Sequence, residues 1–353
     1  MEADYPGTMR IAPNTAEVLR RLAAQAERLG HLTEEQLALV YANRWFKLFV
    51  PHRLGGLELS VPEGVRLEEE LARIDGSLGW TVTLCAGANL FVGFMDSSVS
   101  STMFATPSVC LGGSGQASGT AMVDNGGYRI TGRWRYATGA PHLTHFTANC
   151  VIEQDGQPVP GEDGQPLVKS FFVPREHVQV IDDWNAFGLK ATASHSFKVT
   201  DVWVPETNAF VIGSQHAKLP QTIYRYPFQQ FAEATLAVNT LGIARHFIEC
   251  LEAHAGERLV NLTIDANAYI NTARDSFYQV LDASWQELMQ RGDISPEARS
   301  AVSAQSRHLA EVARQQVVLL YPYAGMAAAD PSTAMNRCWR DLFTASQHSI
   351  FRS

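Results

Sequence analysis

The pattern of apolar and polar positions along the chain changes character twice, and its first part is helical. Residues 15–29 place apolar side chains at intervals of three and four and stop at Gly30, which is typical of an amphipathic helix. Thr33 and Ser60 are each followed three positions later by a glutamine or glutamate, the capping-box signature of a helix start. We therefore expect residues 1–108 to form an α-helical domain.

Residues 109–212 carry the signals of short strands joined by tight turns. Asn-Gly and Asp-Gly pairs begin at Asn125, Asp155 and Asp163, and such pairs favour hairpins between runs rich in β-branched and aromatic residues. This part of the chain predicts an antiparallel β domain, either a small barrel or a sandwich.

One strand of this domain, residues 128–138, separates two faces by its alternation. Arginines stand at positions 129, 133 and 135 on one face. The period of two assigns the opposite, apolar face to Tyr128, Ile130, Trp134, Tyr136 and Thr138. A hydroxyl ends this face and the glycine-containing corner "TGAPH" follows it, so we expect a ligand at this corner.

Helical periodicity returns in residues 213–353. Ser295 stands as a cap before Pro296, and proline is favoured at the first position of a helix. Long amphipathic helices with short connections predict a four-helix bundle. The chain as a whole is therefore predicted to be α+β, with a helical, a β and a second helical domain in that order.

Composition narrows the class of protein. The 353 residues are 46% hydrophobic and 18% charged, which is typical of a globular enzyme, and the net charge of −8 disfavours nucleic acid as a partner. Residues 77–95 are uncharged and nearly long enough to span a bilayer, but three glycines and acidic flanks favour a buried helix pair. We expect no membrane contact.

The cysteines and the N-terminus predict a compartment. The five cysteines are odd in number, far apart and without a C-x-x-C pair, which is typical of reduced thiols in a cytoplasmic protein. The first ten residues contain no apolar leader. His142 and His145 have a spacing that zinc can use, but no cysteine or acid cluster accompanies them in the sequence, so we predict no metal site.

Three segments resemble motifs of the acyl-CoA dehydrogenase superfamily: "GGYRITGRWRYATGA", "WNAFGLKATASHSFKVTDVWVPE" and "RCWRDLFTASQH". The resemblance covers nearly the whole chain and is strongest to the branch of flavin-dependent monooxygenases. It implies the same α, β, α architecture, with a flavin ring between the β domain and the C-terminal bundle. It also implies a homotetramer or homodimer.

The resemblance further implies which residues hold the flavin. Tyr136 and Thr138 fall where dehydrogenases of the superfamily place an aromatic residue and a threonine against the ring, with Thr138 near flavin N5 or O4. Four more residues match positions beside the flavin, its phosphate or a neighbouring subunit: Ser114, Thr192, Ser194 and His195. Trp134 and His142 are hypothesised to line the substrate pocket.

The third segment bears on the chemistry. An acyl-CoA dehydrogenase needs a carboxylate base to remove the α proton of its thioester, and eight residues after Asp341, where the usual glutamate would stand, this chain has Ser349. Monooxygenases of the superfamily carry a histidine seven residues after that aspartate, which matches His348. An imidazole with a pKa of about 6.5 can take a phenol proton near neutral pH. Glu233, interpreted as a surface residue, is the alternative base.

These residues favour a flavin-dependent oxidoreductase, and within that class a monooxygenase that uses reduced flavin and O2 on a small aromatic or amine substrate. His348 and Thr138 are the catalytic candidates. The resemblance implies FMN or FAD as the cofactor. Because residues 254–266 lack the motif with which the dehydrogenases hold the adenine half of FAD, we expect a partner reductase to supply the flavin in its reduced form. Two alternatives stay open: an FAD-dependent acyl-CoA dehydrogenase, and a flavin-binding protein without turnover.

Overall fold

The computed structural model describes residues 11–255 and 259–351, and it confirms the α+β class and the order of helices, sheet and helices. Residues 1–10, on which the expectation about a leader rests, lie outside the described residues, as do residues 256–258 in the stretch compared with the adenine-binding motif.

The N-terminal part is helical, as its cap signals predicted. The Thr33 hydroxyl accepts the backbone N–H of Gln36 and closes a capping box, and Ser60 does the same with Glu63. Gly30 ends the first helix with a left-handed φ of 75°, a conformation that glycine adopts without strain. The helices of this part are α1 Pro13–Leu29, α2 Glu34–Ala42, α3 Val61–Ile74, α4 Gly76–Asn89 and α5 Ser97–Phe104.

Helix α4 contains most of the uncharged segment noted in the sequence. The stretch Gly76–Phe94 is long and apolar enough to cross a membrane by length and composition, but 83% of its most apolar window is buried inside the protein. A 3-10 turn, Leu90–Phe94, completes it. The segment is a core element of the fold, in line with the predicted buried pair.

The middle part of the chain forms an eight-stranded sheet whose pairing order is β6-β7-β2-β1-β3-β5-β8, with β4 paired to β3. The strands are β1 Leu111–Asp124, β2 Gly127–Ala137, β3 His145–Gln154, β4 Gln157–Pro158, β5 Val168–Pro174, β6 Gln179–Ile181, β7 His195–Pro205 and β8 Ala209–Phe210. Asn125 and Gly126, with φ of 43° and 77°, join β1 to β2 and confirm the predicted hairpin.

The prediction of a wholly antiparallel domain was wrong for one pair, because β1 and β3 run parallel. Strand β2 runs back along β1 and ends where β1 begins. Strand β3 starts at that same end and pairs with the other edge of β1, so it must run in the direction of β1.

The C-terminal part is a bundle, and the Ser295 hydroxyl caps its third long helix by accepting the Ala298 N–H, as predicted. The helices are α6 Phe228–Ala255, α7 Val260–Arg291, α8 Pro296–Leu320, α9 Gly325–Ala329 and α10 Ala334–Ala345. Helix changes to strand between α5 and β1, and strand changes back to long helix between β8 and α6. The domain bounds at residues 108/109 and 212/213 stay predictions.

A buried glutamate joins the N-terminal helices to the bundle. Glu69 of α3 is 1% exposed and accepts hydrogen bonds from Arg245 of α6 at 2.9 Å and from Arg274 and Tyr278 of α7 at 2.8 and 2.5 Å. Gly242 lets α6 approach closely, since a Cβ there would lie 2.5 Å from the Glu69 carbonyl oxygen. Each charge in this cluster is stable in the interior only while its partners remain.

We expect Glu69→Ala to lower the free energy of unfolding by about 3 kcal/mol or more, because it leaves two partly buried guanidinium groups without their carboxylate. The neighbouring Glu70 pairs with Arg73 at 3.5 Å on the surface, so Glu70→Ala should cost less than about 1 kcal/mol. Urea denaturation of both variants measures the difference, and equal losses would contradict the anchoring role of Glu69.

Candidate active site

A cavity of about 290 Å³ lies where the sheet meets α4, α6 and the segment after α10. Among the described residues that line it there is no aspartate or glutamate. Its polar lining consists of Thr83, Ser114, Thr138, Thr147, Asn149, Thr235 and His348. Its walls include the rings of Phe91, Phe228 and Phe231. Three of the residues predicted from sequence, Ser114, Thr138 and His348, therefore meet in one cavity.

A chain of buried hydroxyl groups fixes the Thr138 side chain. Thr192 donates to the Leu189 carbonyl oxygen at 2.8 Å, Thr192 and Ser194 are 2.7 Å apart, and Ser194 and Thr138 are 2.9 Å apart. Thr192 has one hydroxyl proton, so Ser194 must donate to Thr192, and Thr138 in turn donates to Ser194. The Thr138 oxygen therefore presents acceptor capacity to the cavity.

Tyr136 does not share the buried face of Trp134, so the predicted alternation was wrong at this point. A bulge adds one residue to β2 between Trp134 and Ala137, and Tyr136 takes a φ of 68° with half of its surface exposed. Its ring packs edge-on against Trp184, with centroids 6.2 Å apart, outside the cavity lining. The bulge also returns Ala137 and Thr138 to the interior.

His348 follows the end of α10 and reaches the cavity. Its Nδ1 accepts the backbone N–H of Ile350 at 3.3 Å, and its ring lies edge-on to Trp80 with centroids 6.0 Å apart. Because Nδ1 is an acceptor in this arrangement, a neutral His348 carries its proton on Nε2. In that tautomer Nε2 is a hydrogen-bond donor.

The Arg-Asp pair of α10 binds the corner before β7 to the bundle. The Leu189 N–H donates to Asp341 at 2.6 Å, and Arg340 donates to the Phe187 carbonyl at 3.0 Å. Arg340 also pairs with Glu27 of α1. One turn of α10 thus contacts both the β domain and the N-terminal helices, seven to eight residues before His348.

The corner at residues 187–193 is tightly packed against α10 and contains strained backbone. A Cβ on Gly188 would lie 2.0 Å from the Arg340 carbonyl oxygen. Leu189 and Ala193 have positive φ of 51° and 43°, which side-chain-bearing residues adopt only when their surroundings enforce it. Such strain is commonly found at ligand sites.

His195, predicted beside the flavin phosphate, does not line the cavity. Its Nδ1 accepts the backbone N–H groups of Asp183 and Trp184, each at 3.1 Å. This contact holds the segment after β6 against the first residue of β7. Thr192 and Ser194 likewise reach the cavity only through Thr138.

Trp134 lies in the core of the β domain, so the prediction that it lines the substrate pocket was wrong. It is 0% exposed, stacks on Phe197 with centroids 5.0 Å apart, and donates its indole N–H to the Asn149 carbonyl at 3.0 Å. Gly119 leaves space for its ring, since a Cβ there would lie 2.1 Å from the indole.

His142 also lies outside the cavity lining, and the statement that no cysteine accompanies it was wrong. The imidazole stacks on Phe46 with centroids 5.2 Å apart, and Cys85 and Cys110 approach it so that the three ligand-type atoms lie within 4.8 Å of one another. Helix α4 and the start of β1 supply the two thiols, a contact that sequence spacing does not reveal.

Glu233 is buried, so its interpretation as a surface residue was wrong. It is 0% exposed, lies 3.2 Å from Arg307 of α8 and accepts a longer bond from Gln229. The cavity is lined instead by Ala232 and Thr235 on the same helix. A carboxylate turned toward α8 and paired with an arginine is poorly placed to act as a base in the cavity.

Several lining residues escaped the sequence analysis because they belong to ordinary apolar helices. Thr83 and Gly87 of α4 are four residues apart, and Phe228, Phe231 and Thr235 recur at helical spacing on α6. Small residues beside aromatic ones at that spacing are a weak signal of a cavity wall.

The comparisons with known proteins agree with this geometry. Helices, a sheet and a helical bundle in this order, with a cavity between sheet and bundle, are the architecture of acyl-CoA dehydrogenase-like enzymes. Residues 234–353 match the family model described as "Acyl-CoA dehydrogenase, C-terminal domain". The chain is 25% identical over 346 residues to the indole-3-acetate monooxygenase of Pseudomonas putida, covering 94% of this chain and 87% of that protein.

Two relatives of known structure extend the match. The oxygenase subunit HsaA of a flavin-dependent monooxygenase from Mycobacterium tuberculosis is 23% identical over 382 residues, covering 99% of this chain and 92% of that protein. Its crystal structure superposes with a TM-score of 0.89, covering 96% of this chain and 91% of that one. XiaF from Streptomyces sp., in complex with FADH2 and glycerol, has a TM-score of 0.86 at 21% identity, covering 96% and 89% of the two chains. Over nearly its whole length this chain is therefore similar to flavin-dependent monooxygenases, and its C-terminal third matches the acyl-CoA dehydrogenase family model.

We expect the stability of the protein to fall as the pH rises from about 4 to 7, and Asp341→Asn to reduce that fall. Burial and the neighbouring Asp75 raise the pKa of Asp341 from 3.8 to about 7. The folded state therefore binds a proton that the unfolded state has released, so this favourable contribution is lost as the pH passes the folded pKa.

Thermal unfolding at several pH values measures this slope. Asparagine keeps an acceptor for the Leu189 N–H, and Asp155→Asn, in an exposed turn, is the control that should leave the slope unchanged. A slope that is the same in wild type and Asp341→Asn would contradict the assignment to Asp341.

Proposed function

We propose that this chain is the oxygenase component of a two-component flavin-dependent monooxygenase that transfers one oxygen atom of O2 to a small aromatic substrate. The observation that carries the proposal is the cavity that joins Thr138 and Ser114 of the sheet to His348, between aromatic walls and with no acidic residue among its described lining. The names of the relatives, an indole-3-acetate monooxygenase and an oxygenase subunit, support the reaction class.

The lining residues fit a flavin ring. A cofactor with an apolar face and a polar edge requires flat apolar walls together with hydroxyl and backbone groups, and the cavity lining includes three phenyl rings as well as Ser114, Thr138 and Thr147. Gly115 and Gly87 keep the walls open, because a Cβ on Gly115 would meet nothing within 4 Å and one on Gly87 only Phe231 at 3.7 Å. FMN or FAD in its reduced form, when bound, supplies the electrons that activate O2.

Thr138 matches the reduced form of the cofactor. Its own proton is directed to Ser194, so its oxygen accepts, and reduced flavin carries a ring N–H at N5 that the oxidised form lacks. The hydroxyl chain through Thr192 to Leu189 thereby favours a cofactor that arrives already reduced. This property suits a chain that receives its flavin from a separate reductase.

His348 binds the oxygen of the substrate, because its Nε2 is a donor. A neutral His348 with its proton on Nε2 donates a hydrogen bond to a substrate oxygen, which stabilises an ionised phenol or a carboxylate. The aromatic walls favour an aromatic substrate over an aliphatic amine, because ring stacking contributes beyond simple burial. We further propose that the protein works in the cytoplasm as a homotetramer or homodimer.

Replacing Ser194 by alanine tests the role assigned to the hydroxyl chain. Without Ser194 as acceptor the Thr138 hydroxyl can rotate and donate, so the preference for reduced over oxidised flavin should shrink by about tenfold, the value of one hydrogen bond. Anaerobic titration with reduced FMN and FAD, beside aerobic titration with the oxidised forms, measures the four dissociation constants.

Ser196→Ala is the matched control, because this neighbouring buried serine bonds Asp183 instead of the chain. An identical preference in wild type and Ser194→Ala would contradict the acceptor role of Thr138.

The reaction itself is tested by supplying reduced flavin, O2 and a panel of phenols, indoles and aromatic acids. Wild type should form hydroxylated product, and His348→Ala should bind reduced flavin normally but form product about a hundredfold more slowly, with O2 released as peroxide. Glu233→Gln should keep turnover. Anaerobic bleaching of bound oxidised FAD by an acyl-CoA, with loss of that reaction in Glu233→Gln, would overturn the proposal in favour of a dehydrogenase.

A further inference from the structure

A second group of reactive side chains lies on the bundle, away from the cavity. His246 and Cys250 are one turn apart on α6, and Cys338 of α10 packs against them. The ligand-type atoms of the three residues lie within 4.8 Å of one another. The cysteines that the sequence shows far apart are therefore paired by the packing of α10 on α6.

The surroundings of this pair favour a thiolate. His246 is 8% exposed and its Nδ1 has no hydrogen-bond partner within the described ranges. Arg337, beside Cys338 on α10, adds a positive charge. The Cys338 thiol and the imidazole lower the pKa of Cys250 to about 5, whereas hydrogen bonding to Cys250 and burial raise the pKa of Cys338 well above its ordinary value.

Access distinguishes this pair from the other thiols. Cys250 is partly exposed, whereas Cys85, Cys110 and Cys150 are buried. Cys85 and Cys110 form a comparable pair beside His142, but both are 0% exposed. A small oxidant in solution can reach Cys250 first.

We propose that Cys250 is a peroxide-reactive thiol and that Cys338 resolves its oxidation product as a disulfide between α6 and α10. The Cys250 thiolate attacks hydrogen peroxide, the O–O bond breaks, and with one proton the products are Cys250 sulfenic acid and water. The Cys338 thiol then attacks that sulfur, a second water leaves, and the S–S bond forms. The sulfurs together lose two electrons and the peroxide gains them.

The two sulfurs start close to each other. A disulfide requires about 2.05 Å between sulfurs, so rotation of the two side chains must bring them together from a separation below 4.8 Å. A dithiol reverses the bond by exchange.

A zinc ion is the other occupant that two thiols and an imidazole suggest. Within the described part of the chain the group offers three ligands within 4.8 Å, where a structural zinc site uses four. The missing fourth ligand favours a reactive thiol pair over a bound metal, and metal retention is one outcome of the test.

Oxidation would affect the bundle near the proposed active site. Cys338 lies two and three residues from Arg340 and Asp341, which hold the corner at Leu189, and on the helix that precedes His348. Peroxide escaping from reduced flavin and O2 is a local source of oxidant. This source rests on the proposed function, whereas the thiol chemistry does not.

The test uses wild-type protein, reduced and desalted without oxygen, then titrated with hydrogen peroxide and digested for peptide mapping. The expected first product is the peptide pair linked through Cys250 and Cys338, reversible by dithiothreitol. Before oxidation, iodoacetamide should label Cys250 about tenfold faster than Cys150 at neutral pH. First oxidation at Cys85, Cys110 or Cys150, or no link at any peroxide level that spares methionine, would overturn the proposal.

Two variants separate the steps. Cys338→Ser should accumulate sulfenic acid at Cys250, trapped by dimedone, whereas the control Cys150→Ser should form the disulfide as wild type does. One equivalent of zinc in the freshly purified protein, with protection of Cys250 until a chelator removes it, would replace the thiol switch by a metal site. Because added peroxide is the oxidant, failure here leaves the oxygenase test unaffected, and the reverse also holds.

Discussion

The structure depends on the contact between one turn of α10 and the strained corner before β7. Asp341 accepts the Leu189 N–H, Arg340 binds the Phe187 carbonyl, and Gly188 lets the two backbones meet without a side chain between them. Through Glu27 the same arginine contacts the first helix. Because this contact joins all three parts of the chain, it sets where the C-terminal segment leaves the bundle and hence where His348 enters the cavity.

The same corner also fixes a side chain on the sheet side of the cavity. Leu189 offers the carbonyl at which the hydroxyl chain begins, and the chain ends at Thr138. The bulge in β2 turns Tyr136 outward and Thr138 inward, so that the chain can close. The direction in which the Thr138 hydroxyl donates is therefore set by the Leu189 carbonyl at the other end of this chain of hydroxyl groups.

The cavity also requires close approach of helices that carry small residues. Gly242 lets α6 pack closely against α3, where Glu69 accepts hydrogen bonds from arginines of two bundle helices. With α3 and α6 fixed in this way, α4 lies between them and the sheet and contributes Thr83 and Gly87 to the wall. Buried charge and close glycine contacts thus fix the positions of these helices, and apolar rings line the cavity between them and the sheet.

The sequence by itself determined the local features, namely helix starts and tight turns, because these depend on residues that are close together in the chain. Capping boxes at Thr33 and Ser60, the proline start after Ser295 and the Asn125 hairpin follow from local hydrogen bonding and backbone preference, and the structure confirms them. The motif resemblance also indicated the acyl-CoA dehydrogenase superfamily, in agreement with the family-model match. It selected Ser114, Thr138 and His348 as site residues, and the structure places all three in the lining of one cavity.

Only the tertiary structure decided the features that depend on distant packing. A period of two cannot reveal a bulge, so Tyr136 was assigned to the wrong face, and Trp134 proved to be core because Gly119 makes room for it. Glu233 pairs with Arg307 of another helix, and cysteines far apart in the chain lie next to each other in pairs. Both follow from helix packing, which depends on surface shape and charge rather than on distance along the sequence.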